Sequence, residues 1–494
     1  MSFQPRPYQL LAESNIRDAY AAGHRAVMLT SPVASGKTVT FSRIAAGVHA
    51  KDKRVLILAH RRELIYQISN TLSNMRVPHG TILGGQPGLP RKNVIVGAVQ
   101  TVFKRLPFMQ APDLIICDEA HRACLDSCFG QIIRHFDKAR VLGVSASPRR
   151  TDMRPLDDIF DTLVHGPSVA ELVALGYLPP PEVYAPTRPD MSQAHVKRGD
   201  FVTAESESIM DKPHITGTAL QHYKKLCPDK RAIIFCVSIA HAQHVAKEFL
   251  AAGYDAAHVD GKMNDGERRS RLAAFENGRT PILTTVDLCN EGLDIPGIEA
   301  AILLRPTMSL IVHVQQMGRA MRPAPGKTRA LIIDACGNVH RHGLPDEPRE
   351  WSLTGIMQQP KESVPRVATC PKCFAAYSPG LSECPRCQYV APAKGRKIES
   401  KDGELSLVSD GSEYDAANTG DHLKDMESQY YALRAVARKR GWDGDRGSAW
   451  AFRVVSARLA DRLARDRVDP AQPLEDLEMR TIRRDSVTRA MGNE

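Results

Sequence analysis

The chain has 494 residues, 43% hydrophobic and 25% charged, an ordinary balance for a soluble globular protein. That length excludes a single core, since domains commonly hold about 100–200 residues, and three or four units are expected. The formal charge of +10 suits a polyanionic partner. No apolar run of about 18 residues marks a membrane span, and Met1 to Leu11 carry no basic-then-apolar leader, so the expectation is a cytoplasmic protein with no membrane partner.

Short apolar runs bounded by polar or turn residues predict strands at 25–30, 55–59, 94–98, 114–117 and 141–144, with helical spacing between them, as at 62–75. A Pro-rich stretch at 177–189 breaks the pattern, which resumes at 232–236, 255–259, 281–285, 300–304 and 328–333. Strands alternating with helices imply parallel sheets covered on both faces. The expected fold is therefore α/β, with two tandem parallel-sheet domains at 1–170 and 215–345 and a connector at 171–214. Residues 346–366 read as a linker and 367–391 as a Cys-rich module. Residues 392–425 are polar and read as a flexible linker, and 426–494 as a helical basic region. Cys117, Cys236 and Cys289 stand singly in apolar runs and read as small buried hydrophobes.

The strand at 25–30 runs directly into Ser31-Pro32-Val33-Ala34-Ser35-Gly36-Lys37-Thr38, followed by an apolar helical stretch. A strand, a tight loop ending in Gly-Lys-Thr and a helix make a phosphate cradle. Backbone N–H groups at the helix start converge on an anion, and the helix dipole favours its charge. Ser35 and Gly36 would line the loop, Lys37 would neutralise the β- and γ-phosphates of ATP, and Thr38 would offer its hydroxyl to Mg2+. A surface turn before a helix is the plain alternative, and a second element argues against it. The apolar run at 114–117 ends in Asp118-Glu119-Ala120-His121. Carboxylates at the C-terminal end of a parallel strand face the nucleotide crevice. Asp118 would hold the Mg2+ shell, and Glu119 would orient and deprotonate the attacking water.

Cys370-Pro371-Lys372-Cys373 and Cys384-Pro385-Arg386-Cys387 form two Cys-x-x-Cys knuckles. Four thiolates at this spacing suit tetrahedral Zn2+ and resemble a zinc ribbon. A redox pair and an iron–sulfur site are the alternatives. Phe374, Tyr377 and Tyr389 beside the knuckles either stack bases or form a small core. Cys124 and Cys128 read as helix-packing residues.

The ordered set of motifs resembles the superfamily 2 helicases of the DEAH-box kind over about residues 3–335, which implies two RecA-like domains. Arg6-Pro7-Tyr8-Gln9 resembles the motif ahead of the phosphate loop, which implies nucleotide contacts for Arg6 and Gln9. Ala59-His60-Arg61-Arg62-Glu63-Leu64 and Val99-Gln100-Thr101 resemble the strand-contacting motifs, which implies that Arg62, Gln100 and Thr101 touch a nucleic-acid backbone. Ser145-Ala146-Ser147-Pro148 resembles the motif that couples hydrolysis to strand binding. Ile233-Ile234-Phe235-Cys236 resembles the first motif of the second lobe. Thr284-Thr285-Val286-Asp287 through Glu291-Gly292-Leu293-Asp294 resembles the next, implying a nucleic-acid contact for Thr284 and nucleotide contacts for Gly292 and Asp294. Gln315-Gln316-Met317-Gly318-Arg319-Ala320-Met321-Arg322 resembles the last, implying that Arg319 and Arg322 reach the γ-phosphate and that Gln315 couples the lobes. Ser31, Ala34 and Ser147 depart from the commoner glycine, glycine and threonine; Ala34 would crowd the loop or restrict φ.

With Lys37, Thr38, Asp118 and Glu119 on one lobe and Arg319 and Arg322 on the other, the site is complete only when the lobes close, so hydrolysis should be gated by nucleic acid spanning both. His121 reads either as an interlobe hydrogen bond or as a helix cap. The expectation is an ATP-driven helicase or translocase acting as a monomer on DNA, with RNA the alternative track. A duplex translocase that never parts strands, as in restriction motors, and a nucleotide-gated binding module without hydrolysis are the rivals. The tail from Met426, with 14 Lys+Arg against 11 Asp+Glu, reads as an accessory grip or a docking surface for protein partners.

Overall fold

A computed structural model describes residues 4–150, 154–186, 188–197, 199–286, 295, 297–354 and 367–390, together with Tyr430, Leu433, Ala451, Phe452 and Val455. Residues 1–393 form one compact unit and 394–494 another. In the second unit the described residues Tyr430, Ala451 and Val455 are helical and buried; the expected linker at 392–425 and the rest of the tail lie outside the described residues.

The first unit holds two parallel sheets. The first contains β1 (Ala26–Thr30), β2 (Val55–Ala59), β3 (His79–Ile82), β4 (Val94–Ala98), β5 (Leu114–Asp118), β6 (Arg140–Ser145) and β7 (Thr162–His165), in the order β3-β4-β2-β5-β6-β1-β7. Successive side chains of its central strands enter opposite cores. Val27, Leu29, Ile57 and Val144 join one, and Met28, Leu56, Leu58 and Ile115 the other. A strand covered on both faces needs apolar residues at every position, which is why these strands appear in the sequence as unbroken runs.

The second sheet begins with β8 (Pro181–Tyr184). After a small hairpin of β9 (Val196–Lys197) and β10 (Asp200–Phe201) come β11 (Ala232–Phe235), β12 (Ala256–Val259), β13 (Ile282–Thr285), β14 (Ala300–Leu303) and β15 (Ala330–Asp334), in the order β12-β13-β11-β14-β15-β8. The expected connector at 171–214 is therefore corrected. Its strand β8 pairs with β15 as the edge of the second sheet, and Leu172 and Leu178 enter the second lobe's core. Pro181 is tolerated because it opens an edge strand, where a missing N–H costs no ladder bond. The linker at 346–366 also needs correction at its start. Leu156 N–H donates to Leu353 O at 2.6 Å, and Leu353 packs on a first-lobe core, so the chain returns to the first lobe after leaving the second.

The Cys-rich module carries β16 (Ala368–Thr369) and β17 (Ala376–Tyr377). It lies against β8: Tyr184 bridges to Ala375, Ala185 N–H donates to Phe374 O at 2.9 Å, and Glu182 pairs with both Arg386 and Arg329. No helix among the described residues is long and apolar enough to cross a membrane.

Candidate active site

The phosphate loop is shaped by two left-handed residues, Ala34 at φ 67° and Gly36 at φ 83°. Gly36 is the N-cap of helix Lys37–His49, and a Cβ there would stand 2.8 Å from Gln9 Nε2. Ala34 holds the same left-handed region with a methyl, at a cost of roughly 1–2 kcal/mol. Alternating left- and right-handed residues turn successive N–H groups toward one point, a nest for an anion. The loop is tied to the motif on β6 by Ser31 N–H donating to Ser145 O at 3.0 Å. Ser31 Oγ and the buried Ser35 Oγ are 2.7 Å apart. Lys37 Nζ donates to the carbonyls of Ser31 and Pro32 at 3.2 and 3.1 Å. Thr38 follows on the first turn of the helix, half-buried.

Ahead of the loop, Gln9 is buried and spans helix and loop. Its Oε1 accepts from Arg6 N–H at 2.9 Å and its Nε2 donates to Gly36 O at 3.3 Å. Arg6 donates to Tyr8 Oη, and Tyr8 Oη donates to Ser35 O. Tyr177 was not singled out from the sequence. It completes this corner, edge-on to Tyr8 with ring centroids 5.3 Å apart and with the Arg6 guanidinium 4.7 Å above its ring. Only its position inside a proline-rich stretch hinted at it.

Asp118 closes β5 and is buried, and its Oδ1 accepts from Glu119 N–H at 3.1 Å. Glu119 sits at φ 51°, a strained value of the kind found where a side chain must be aimed. His121 Nδ1 lies 3.3 Å from Glu119 Oε2 and 3.0 Å from Ser145 Oγ, and Ser145 Oγ donates to Ser147 O at 3.0 Å. These contacts of His121 lie within the first lobe, where the sequence pointed to an interlobe bond or a helix cap.

Across the cleft, helix Leu310–Ala320 carries Gln315 and Arg319, both buried, and Arg322 follows it half-buried. The two lobes meet here. A Cβ on Gly318 would lie 2.5 Å from Val33 Cβ, so glycine is what admits the phosphate loop against this helix. Burial pulls the Lys37 ammonium below the ordinary lysine value; Glu119 and Asp118 oppose that pull, and Arg322 and Arg319 reinforce it. Five groups from three stretches of the chain thus act on one another. Farther out, Arg268 of helix Asp265–Glu276 reaches Glu63 of helix Arg62–Asn74 at 3.3 Å.

On the first lobe, Arg62 Nη2 donates to Gly84 O at 3.3 Å, and Thr101 Oγ1 lies 3.9 Å from the Cβ position of Gly84. Arg62, Thr101 and the exposed Gln100 therefore follow the carboxyl ends of neighbouring strands β2 and β4. Thr284 is a correction. Its side chain is fully buried in β13 and its hydroxyl donates to Ala242 O at 2.8 Å, a bond that knits strand to helix and commits its single O–H inside the lobe. Gly292 and Asp294 lie outside the described residues.

Cys370, Cys373, Cys384 and Cys387 place their sulfurs within 4.8 Å of one another, with 3.6 Å between the first and last and 3.7 Å between the middle pair. Thiolates about 2.3 Å from one tetrahedral centre stand about 3.8 Å apart, so the set fits a Zn2+ ion. The two knuckles are alike. Phe374 and Gln388 take φ 62° and 58°, and each donates its N–H to the carbonyl of the knuckle's first cysteine at 2.9 Å. Burial raises the Cys370 thiol, but the amides of Cys373 and Lys372 and the neighbouring thiols outweigh it and bring it down to about 7.

The family model "Type III restriction enzyme, res subunit" matches residues 2–150, and "Helicase conserved C-terminal domain" matches 218–324. A 51.5 kDa protein of a Lactococcus phage is 34% identical over 386 residues, 77% of this chain and 82% of its own. IRC3 of Saccharomyces cerevisiae, named as an ATP-dependent helicase, is 29% identical over 67% of this chain, which spans about half (51%) of its length. Among solved structures, a fragment assigned as the HsdR subunit of a type I restriction enzyme from Vibrio vulnificus superposes with a TM-score of 0.56 at 22% identity, over 69% of this chain and 66% of that one. That likeness shows the fold.

Proposed function

Since this chain belongs to the superfamily 2 helicases, we propose that it is a DNA-stimulated motor that hydrolyses ATP in the cleft between its two lobes. The observation that carries this reading is the close approach of the arginine-bearing helix to the phosphate loop, where a Cβ on Gly318 would lie 2.5 Å from Val33 Cβ, with Asp118 closing β5 and Glu119 just after it on the same lobe as the loop. Lys37 holds the β- and γ-phosphates, giving up its contacts to Ser31 and Pro32 when they arrive. Mg2+, when bound, neutralises charge on the transferred phosphoryl group, and Thr38 and Asp118 would hold it. Glu119 takes the proton of the attacking water, held in its aim by the left-handed backbone and by His121. Arg319 and Arg322 stabilise the charge that develops on the γ-phosphate, a contribution worth about 10³–10⁵ in rate for arginines of this kind. Arg6 and Gln9 hold the adenine end. Ser145 and Ser147 carry the nucleotide state from the loop to the strand-binding surface, along the path Ser31–Ser145–His121. Arg62, Gln100 and Thr101 grip the nucleic-acid backbone, with RNA as the alternative track. The four cysteines hold Zn2+ as a structural staple.

Phosphate release from ATP with Mg2+ tests this, measured alone and with single-stranded DNA, duplex DNA or RNA. One nucleic acid raises the parent's rate, and both Lys37→Ala and Arg322→Ala abolish the rise. An unstimulated, zinc-loaded parent would sink the reading. A second reading, a duplex translocase that never parts the strands, is favoured by the restriction-subunit match over 2–150. Strand displacement that stays flat while ATP is consumed would select it.

A further inference from the structure

The helix that carries Arg319 ends without a left-handed cap: Met321 stays right-handed at φ −85°. Its last carbonyls therefore need partners from elsewhere. Lys327 supplies them. Its ammonium donates to Ala320 O, to Arg322 O at 2.8 Å and to Ile298 O at 2.5 Å. Lys327 itself is set by a turn, its N–H donating to Ala324 O at 3.1 Å. Two of the three acceptors belong to the segment bearing the arginines, and the third lies just ahead of β14 on a different part of the lobe.

We propose that Lys327 is a positioning residue, a three-carbonyl clamp that fixes the Arg319–Arg322 segment against the base of β14 and presents both guanidiniums to the cleft only while it is an ammonium. This rests on the motor reading, in which those arginines meet the γ-phosphate. The chemistry is specific to the charged form. An ammonium has three N–H donors for three carbonyls, whereas a neutral amine has two and would turn its lone pair on the third oxygen.

The surroundings bring the switch within reach. Burial lowers the Lys327 ammonium to about 8; Glu299 opposes, while Arg231 and Arg322 reinforce the fall. Glu299 is itself engaged by Lys230 at 2.9 Å and by the backbone N–H of Arg231. The clamp is therefore intact below about pH 8 and is lost as pH rises through that value.

The test uses the full chain and measures DNA-stimulated ATP turnover from pH 6.5 to 9.5 for the parent, Lys327→Met and Lys327→Arg. The parent's kcat falls as pH passes about 8. Lys327→Met is about ten- to a hundredfold slower at pH 7, the scale of a misplaced catalytic group, and shows no further fall near 8. Its KM for ATP stays within about twofold of the parent's. Lys327→Arg, always charged, recovers part of the rate and loses the fall. Amide exchange over residues 320–322, corrected for its intrinsic pH dependence, gives a readout free of turnover: it is faster in Lys327→Met, and faster in the parent at pH 9 than at pH 7. Exchange unchanged by Lys327→Met, or a Lys327→Arg profile that keeps the parent's fall, would overturn the clamp. If Lys327→Met does not fold, the Lys327→Arg profile and the parent's exchange decide it. A parent that no nucleic acid stimulates would sink the motor reading, while exchange still judges the clamp.

Discussion

Gly318 decides how closely the phosphate loop and the arginine-bearing helix approach. An added methyl would meet Val33 Cβ and Cγ1 at 2.5 Å, far inside van der Waals contact. Overpacking of this kind costs about 1–3 kcal/mol, and the cost falls on the closed arrangement of the lobes, because Val33 and Gly318 belong to different lobes. Gly318→Ala should therefore lower DNA-stimulated turnover by roughly ten- to a hundredfold while nucleotide binding to the first lobe persists. Val33→Gly in the same chain, which removes the Cβ as well as the branch, should restore most of the rate. Steady-state kinetics of the two single variants and the double variant check it, and a loss that Val33→Gly leaves untouched would show that the contact is not the cause. Other residues show where sequence reading stops. The phosphate loop and Asp118-Glu119 were legible because their chemistry is written in contiguous residues at a strand's end. Ala34 was flagged as crowding a turn, and its φ of 67° is that turn. Thr284 was misread because nothing in a run of apolar and threonine residues says which face of a doubly covered strand a hydroxyl meets. Tyr177 was not legible because its partners Tyr8 and Arg6 lie elsewhere in the chain, and Lys327 because its acceptors are backbone carbonyls, which every stretch of sequence supplies.

At the scale of elements, the central strands stood out in the sequence, and three edge strands did not. β3, β7 and β8 each close a sheet. An edge strand is short and half-exposed, so it lacks the apolar run that marks a central one. The Cys-rich module gives β8 a cover, and its position against that strand was not readable from the cysteine spacing. Without a metal holding the two knuckles, β8 would lose the Tyr184–Ala375 bridge, the bond from Ala185 to Phe374 and the shared ion pair at Glu182. Cys384→Ser, or stripping with a strong chelator, should lower the melting temperature by at least about 5 °C, since about 1 kcal/mol moves a domain of this size by roughly 2–4 °C. Light scattering on heating should rise with it, because an uncovered edge is a template for pairing. Zinc readdition should reverse the chelator's effect. An unmoved melting curve would mean that the module contributes nothing to the sheet.

For the whole molecule, the second lobe extends on both sides of residues 215–345. Its sheet needs β8, and its edge needs the Cys-rich module. A fragment of residues 215–345 should give no cooperative melt by far-UV circular dichroism and should aggregate. A zinc-loaded fragment of 168–390 should melt cooperatively. A cooperative melt of the shorter piece would show that β8 is dispensable. The chain also passes between the lobes three times: from β7 to β8, back where Leu353 returns to Leu156, and once more to reach the Cys-rich module on β8. A single tether would leave two bodies free to twist and slide about a point. The first two crossings instead run side by side: Gly166 and Val169 of one line the same cleft as Pro345 and Trp351 of the other, with Ser31 and Pro32 of the phosphate loop beside them. Whatever a turnover does to the lobes, the double strap keeps them joined beside the phosphate loop, where the nucleotide state changes.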